Sequence, residues 1–484
     1  MEYFKGKEAS LQSAKAQQAP TQAAPATITP SAAPKPVLGK VDAISMIVGI
    51  VVGAGIFRTP SLVAANTDGA AMFLVAWLLG GLVSLIGALC YAELTTTFPN
   101  AGGDYHFLTR AFGKKPAFLF AWARMSVIQT GSIALLAFII GDYAAQIYSI
   151  GELSSVVYAA LVVTLLTGIN IIGISVGAGT QKLLTALEVL GILIVITAGL
   201  FFAPSGSTAS APPAAPETAN SLGLAMVFVL LTFGGWNEAA YISAELRSGR
   251  KGMASVMILS ILLITTIYVL MNLSYLNVLG LQGMAQSSAV AGDLMGAVFG
   301  EGGLVLIGVI VAIAALTSAN ATIFTGARTN YALGRDFPVF GFLGKWNPRT
   351  SSPVNAFLVQ GAIALALIGL GYITRNGFET MVEYTAPVFW FFLLLVGIAL
   401  FVLRRKEPHL NRPFRVPLYP FTPLIFCLTS AYLLYSSLVY TGLGALVGVA
   451  VLLIGVLLLL ALPALNRWSG NGNANKYYPN KKEG

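Results

Sequence analysis

Twelve apolar stretches constrain this chain more than any other feature. They lie at 42–60, 70–92, 117–148, 153–174, 183–202, 221–244, 254–278, 302–327, 353–372, 381–403, 418–440 and 442–463, and are called segments 1 to 12. About 20 residues of α-helix cross the hydrocarbon of a bilayer. Inside lipid the backbone must satisfy its own N–H and C=O groups, so apolar runs of this length read as helices. The expected fold is an all-α polytopic membrane protein with twelve transmembrane helices. A soluble fold does not fit: 10% of the 484 residues are charged and 56% are hydrophobic, whereas soluble domains carry roughly 25% charged residues.

The formal charge is +9, a value that elsewhere would suggest nucleic acid. Here the basic residues fall in short clusters between apolar segments, as a membrane protein uses them to fix its orientation. With the amino terminus in the cytoplasm, the inside loops hold Arg110, Lys114, Lys115, Lys182, Arg247, Arg250, Lys251, Arg328, Arg335, Lys345, Arg349, Arg404, Arg405, Lys406, Arg412 and Arg415. The outside loops hold almost none, Arg375 excepted. Both termini are therefore expected in the cytoplasm of a cell (inner or plasma) membrane. A missed span would invert every later loop, so the same bias checks the count of twelve. Residues 280–300 are too weakly apolar to span and read as a short re-entrant or surface helix.

Residues 1–40, rich in Ala, Pro, Gln and Ser, lack the apolar core of a signal peptide and read as a disordered cytoplasmic tail. Residues 205–220 form a Pro/Ala-rich linker on the outside, separating segments 1–5 (41–204) from segments 6–10 (221–403). Segments 11 and 12 occupy 404–463, and 464–484 form a second cytoplasmic tail. Cys90 and Cys427 both lie in apolar stretches and, with His106 and His409 as the only histidines, offer neither a disulfide framework nor a metal cluster. No nucleotide-binding or hydrolase motif is present, so no enzyme activity, no cofactor and no metal is expected.

Segment 1 contains VGIVVGAGIFRTP, with Gly49, Gly53 and Gly55 at its centre, and segment 6 contains TFGGWNE at 232–238. Interrupted segments at matching places in two five-helix halves point to an inverted-repeat transporter with its site at the interruptions. Unwound backbone inside a membrane is tolerated only where a cavity or ligand satisfies it. Free N–H groups at the start of a second half-helix suit a carboxylate, and carbonyls at the other break suit an ammonium group, so the pair suits a zwitterion. The alternative is that the three glycines make a close helix–helix contact.

The run from Gly49 to Pro60, ALCYAEL at 88–94, FPNAGGDYHFLTRAFG at 98–113 and FLFAWARMSVIQTGSIA at 118–134 resemble the amino acid–polyamine–organocation superfamily. TFGGWNEAAYISAE at 232–245, SANATIFTGARTNYALGRDFP at 318–338 and NPRTSSPVNAFLVQG at 347–361 extend the resemblance, which covers nearly everything from 42 to 440. Within that superfamily the bacterial and animal L-type amino acid transporters are the most similar. The resemblance implies a LeuT-like fold, a 5+5 inverted repeat with discontinuous helices 1 and 6. It implies that Gly53, Ala54, Gly55 and Ile56 bind the substrate carboxylate. Leu231, Thr232, Phe233 and Gly234 would offer carbonyls to the amino group and form the gate. Trp236 and Asn320 would border the side-chain pocket, although packing is the favoured reading for Trp236.

The sequence departs from that pattern in several places. The L-type proteins carry an aromatic gate where this chain has Leu231, and Phe233 is placed to take over its shielding. They carry a lysine where this chain has Glu188, in TQKLLTALEVLGILIV. A lone carboxylate in the membrane is costly when ionised, so it should hold a proton or a cation. Glu188 and, deeper in segment 6, Glu238 are therefore candidate coupling residues; the alternatives are a salt-bridged or interface-facing structural role for Glu188 and a helix-capping or paired role for Glu238. Glu245 is expected to pair with an inside base. Arg124 is placed to snorkel toward the inner surface, with a structural pairing favoured over substrate contact.

The expected function is secondary transport of an amino acid, most simply a small or medium neutral one, by proton symport or by exchange. The partners implied are an amino acid, the lipid bilayer and protons. No nucleic acid is implied, and no disulfide-linked ancillary subunit, since neither cysteine lies in the outer loop that the animal proteins use. Other readings are a cationic amino acid or polyamine antiporter, a channel of similar topology, and a non-transporting sensor or partner subunit.

Overall fold

The computed structural model describes residues 38–202, 222–247, 249–287, 289–374, 377–441 and 448–461. Residues 1–37 of the expected first tail, the linker at 205–220 and the second tail at 464–484 lie outside them. Among the described residues, ten helical stretches are long and apolar enough to cross a membrane, and the extended pairings are two isolated bridges, Leu38 with Leu246 and Asn347 with Ser352.

Segment 1 does not form one helix. It divides into α1 (Lys40–Val51), a 3-10 turn (Ala54–Phe57) and α2 (Thr59–Ala64). Pro60 sits in the first turn of α2, where a missing N–H costs nothing. Then come α3 (Ala70–Thr97), the short α4 (Asp104–Phe112), α5 (Lys114–Ala123), a five-residue π-helical segment (Arg124–Ile128) and α6 (Gln129–Ile147). Segments 4 and 5 are α7 (Ser154–Ile172) and α8 (Ile174–Phe201). Segment 6 is broken as well: α9 (Leu222–Thr232), a 3-10 turn (Trp236–Glu238), α10 (Ala239–Ile242) and a second 3-10 turn (Ser243–Glu245).

The remaining helices are α11 (Gly249–Gln286), kinked at Gly280, α12 (Val290–Phe299), α13 (Glu301–Asp336), α14 (Val354–Thr374), α15 (Gly377–Lys406), α16 (Phe421–Thr441) and α17 (Gly448–Ala461). The kink and α12 account for the weakly apolar stretch at 280–300. In the core, α1 packs among α8, α11 and α13, and α3 runs along α11.

Two helices run well past their expected ends. α8 begins nine residues before 183 and α13 continues nine residues beyond 327, so Lys182, Arg328 and Arg335 are helical rather than loop residues. Each extension has a physical reason. No proline interrupts 328–336 before Pro338. Lys182 pairs with Asp42 of α1 at 3.0 Å, and Arg328 pairs with Glu245 at 2.6 Å. Basic residues that mark loops by sequence are here neutralised by partners distant in the chain.

Candidate functional site

α1 ends because Val52 makes the last helical bond, to Val48 at 2.8 Å, and Gly53 turns to extended backbone. α9 ends where Gly234 N–H bonds Leu231 O at 3.1 Å and Gly235 takes φ +108°. That left-handed conformation favours glycine. Gly235 also approaches the other break, since a Cβ there would stand 2.6 Å from Ile50 Cγ2. A Cβ on Gly55 would stand 3.2 Å from Thr232 Cγ2. The two interruptions therefore touch.

Side chains from neighbouring helices hold the freed carbonyls. The Tyr268 hydroxyl, on α11, lies 2.7 Å from Val51 O and 3.0 Å from Thr232 O, the last carbonyls of α1 and α9. Tyr275, two turns along α11, donates to Ile56 O at 3.3 Å. Ser318 of α13 donates to Gly49 O at 2.8 Å. Unsatisfied backbone is thus met from both sides, which such breaks require inside a membrane.

The twelve sequence candidates divide on this frame. Ala54 and Gly55 are half-buried at the break, and Ile56 is fully buried. Thr232 O already accepts from Tyr268, and Leu231 O from Gly234. The Leu231 side chain is 45% exposed, while Phe233 is fully buried against Trp77 and Tyr268. Gly49 is a packing position: a Cβ there would collide with Thr317, Gln181 and Thr185.

Trp236, Gly234 and Gly235 border a cavity of about 30 Å³ whose far wall is Phe389, Trp390 and Leu393 of α15. That space takes about one or two waters and no amino acid. Asn320 lies in a different place. Its amide accepts from Asn170 and donates to Gln181, both at 2.8 Å, in a buried network that joins α7, α8 and α13. The chain positions that line the cavity from α15 were missed by sequence reading, because nothing in an unbroken apolar helix marks which face meets the break.

The carboxylates also separate. Glu238 is gripped by Arg124 through bonds of 2.9 and 2.6 Å. Arg124 is only 2% exposed and stacks on Tyr241 with 3.9 Å from Cζ to the ring centre. It is therefore buried and paired, and does not snorkel. Its position opens the π-helical segment, which interrupts the regular register between α5 and α6. Glu188 has no such partner. It is fully buried in α8 and neither oxygen has a hydrogen bond. It lies within electrostatic range of Tyr268. Thr185, one turn earlier on the same face, donates to Ser45 O of α1 at 3.0 Å. The unpaired carboxyl thus sits beside the helices that carry the first break.

Two interrupted helices thus meet inside a bundle of apolar helices of membrane-crossing length. The amino acid permease family matches residues 38–462, and the chain belongs to that family. It is similar to the b(0,+)-type amino acid transporter 1 of Mus musculus, 31% identical over 413 residues, with 83% of this chain and 82% of the relative covered. It is similar to the cystine/glutamate transporter of Homo sapiens, 29% identical, covering 83% and 81%. It also resembles the serine/threonine exchanger SteT of Bacillus subtilis, 28% identical, covering 85% and 94%.

Proposed function

We propose that this chain is a secondary transporter that carries a small or medium neutral amino acid across the membrane by alternating access. The observation that carries this reading is the meeting of the two helix breaks, with Tyr268 on the last carbonyl of both half-helices. The substrate carboxylate is received by the N–H groups of Gly53, Ala54, Gly55 and Ile56. The amino group is received by carbonyls of the segment-6 break, and the side chain extends into an enlarged form of the cavity at Trp236. The 30 Å³ now present implies that substrate enters only as the helices part.

In this reading twelve spans form a 5+5 inverted repeat with two further helices, and both termini are cytoplasmic. No ancillary subunit is required. The bidentate Arg124–Glu238 pair supports a neutral substrate, since Glu238 is not free to receive a cationic side chain. The relative named as a serine/threonine exchanger supports small side chains and offers exchange as the second reading of the cycle. Proton symport is favoured by Glu188, a buried carboxyl with no partner, whose charge is expensive unless a proton or cation accompanies it.

The test is uptake into proteoliposomes of a panel of labelled amino acids and putrescine, with and without an inward proton gradient and with and without internal amino acid. Gradient-driven uptake of serine-sized substrates into empty vesicles supports symport. Uptake that needs internal amino acid supports exchange and leaves Glu188 a structural residue. Uptake of putrescine or lysine in place of neutral substrates overturns the substrate assignment.

A further inference from the structure

Asp104 opens α4, between the second and third apolar segments, and is 3% exposed. One of its oxygens accepts from the Tyr241 hydroxyl at 3.1 Å; the other, Oδ1, has no partner. The Tyr91 hydroxyl on α3 faces the same carboxyl and favours its ionised form, but stands outside hydrogen-bond geometry with Oδ1. Arg124 lies nearby, but both of its terminal nitrogens are committed to Glu238. The buried cluster therefore contains one guanidinium and two carboxyls, one negative charge in excess. Asp104, Arg124 and Asn237 also line a cavity of about 10 Å³, about enough for one water.

We propose that Asp104 is a proton-binding site, occupied while α4, α5 and the segment-6 turn are packed together and emptied when they separate. A neutral carboxyl removes the surplus charge. The groups facing it are Arg124 from the π-helical segment, Glu238 and Tyr241 from segment 6, and Tyr91 from α3. On its own helix, Tyr105 is turned toward Asp336 at 2.6 Å, and His106 is held below its usual range by burial and Arg110.

Burial, with Glu238 adding to it, pushes the Asp104 carboxyl up to about 7; Arg124 pulls the other way. Once the interface opens to water the group returns toward about 4. The sign follows: the packed form binds the proton more tightly, so acid favours packing. Rising pH favours separation by up to about tenfold per unit between about 4 and 7, and not further above that. The link to transport rests on the function proposed above; proton binding itself does not.

The experiment is infrared titration of the purified full chain in lipid nanodiscs, taken from about pH 5 to about pH 9. We expect a protonated-carboxyl band that disappears with a midpoint near 7 and is absent from Asp104→Asn. Glu188→Gln keeps this band, which separates it from any band of the unpaired Glu188. Glu238→Gln removes the surplus charge and moves the midpoint to acid pH while the protein stays monodisperse. A spectrum in which Asp104→Asn and the parent coincide at every pH overturns the proposal, as does an unmoved midpoint in Glu238→Gln. An intact titration in a protein that takes up no amino acid would leave the proton site standing and sink the transport reading alone.

Discussion

Arg328 holds Glu245 through bonds of 2.6 and 3.0 Å, with neither side chain more than 1% exposed. The same glutamate offers its backbone carbonyl to Leu38 N–H at 2.9 Å, and Leu38 O accepts from Arg247 at 2.8 Å. The chain just before α1 is thereby laced to the end of segment 6, so both interrupted segments are fastened at one end.

Removing one partner of such a pair leaves a buried uncompensated charge. Arg328→Met is expected to cost about 3–5 kcal/mol, and Arg328→Met with Glu245→Leu to recover most of it. Thermal unfolding in detergent of the single and double variants checks this. Equal losses in both would show that the pair is not the source.

Tyr268→Phe deletes the hydroxyl at the meeting of the breaks without changing the ring that packs on Phe233 and Trp77. Carbonyls left bare in the core cost about 1–3 kcal/mol. We expect substrate affinity to fall by about tenfold or more, read from equilibrium binding of the labelled amino acid found by the uptake panel. Unchanged affinity would mean that Val51 O and Thr232 O do not need this donor to hold the site.

At Gly235 both conformation and space exclude a side chain. Gly235→Ala is expected to destabilise by more than about 1 kcal/mol. Gly179→Ala, in α8 with nothing within 4 Å of the added carbon, is the control and should be neutral or slightly stabilising. The two melting temperatures, measured side by side, decide whether the break depends on glycine at that position.

Glu188→Gln keeps the volume and removes the titrating group. If this carboxyl carries the coupling proton, gradient-driven uptake into empty vesicles is lost while exchange against internal amino acid survives. Folding should be little affected, because neither oxygen of Glu188 serves a partner. A variant that retains pH-dependent uptake would remove Glu188 from the coupling scheme.

Ten of the twelve apolar segments, which return as helices of membrane-crossing length among the described residues, and both interruptions were legible in the sequence, because length and glycine content express the constraints of lipid directly. The ends of α8 and α13 were not. Lys182 and Arg328 look like loop cations until Asp42 and Glu245 are seen beside them, 140 and 83 positions away. The same limit applies to the site. Glu238 read as a candidate proton carrier because Arg124, 114 residues earlier, was invisible as its partner. Asn320 read as a pocket residue by resemblance, yet its amide is spent on Asn170 and Gln181. Glu188 read as unusual and is so: among the described residues no cation pairs with its carboxyl.

The Tyr268 hydroxyl has one hydrogen and two carbonyls to serve, at 2.7 and 3.0 Å. While the half-helices stand together it bridges them; once they draw apart, it can follow only one. Tyr268 is therefore a single-pole contact: in the proposed cycle the packed form would carry a shared hydrogen and each separated form an undivided one. A vibrational probe on this oxygen would report which half-helix has moved away, without any substrate present.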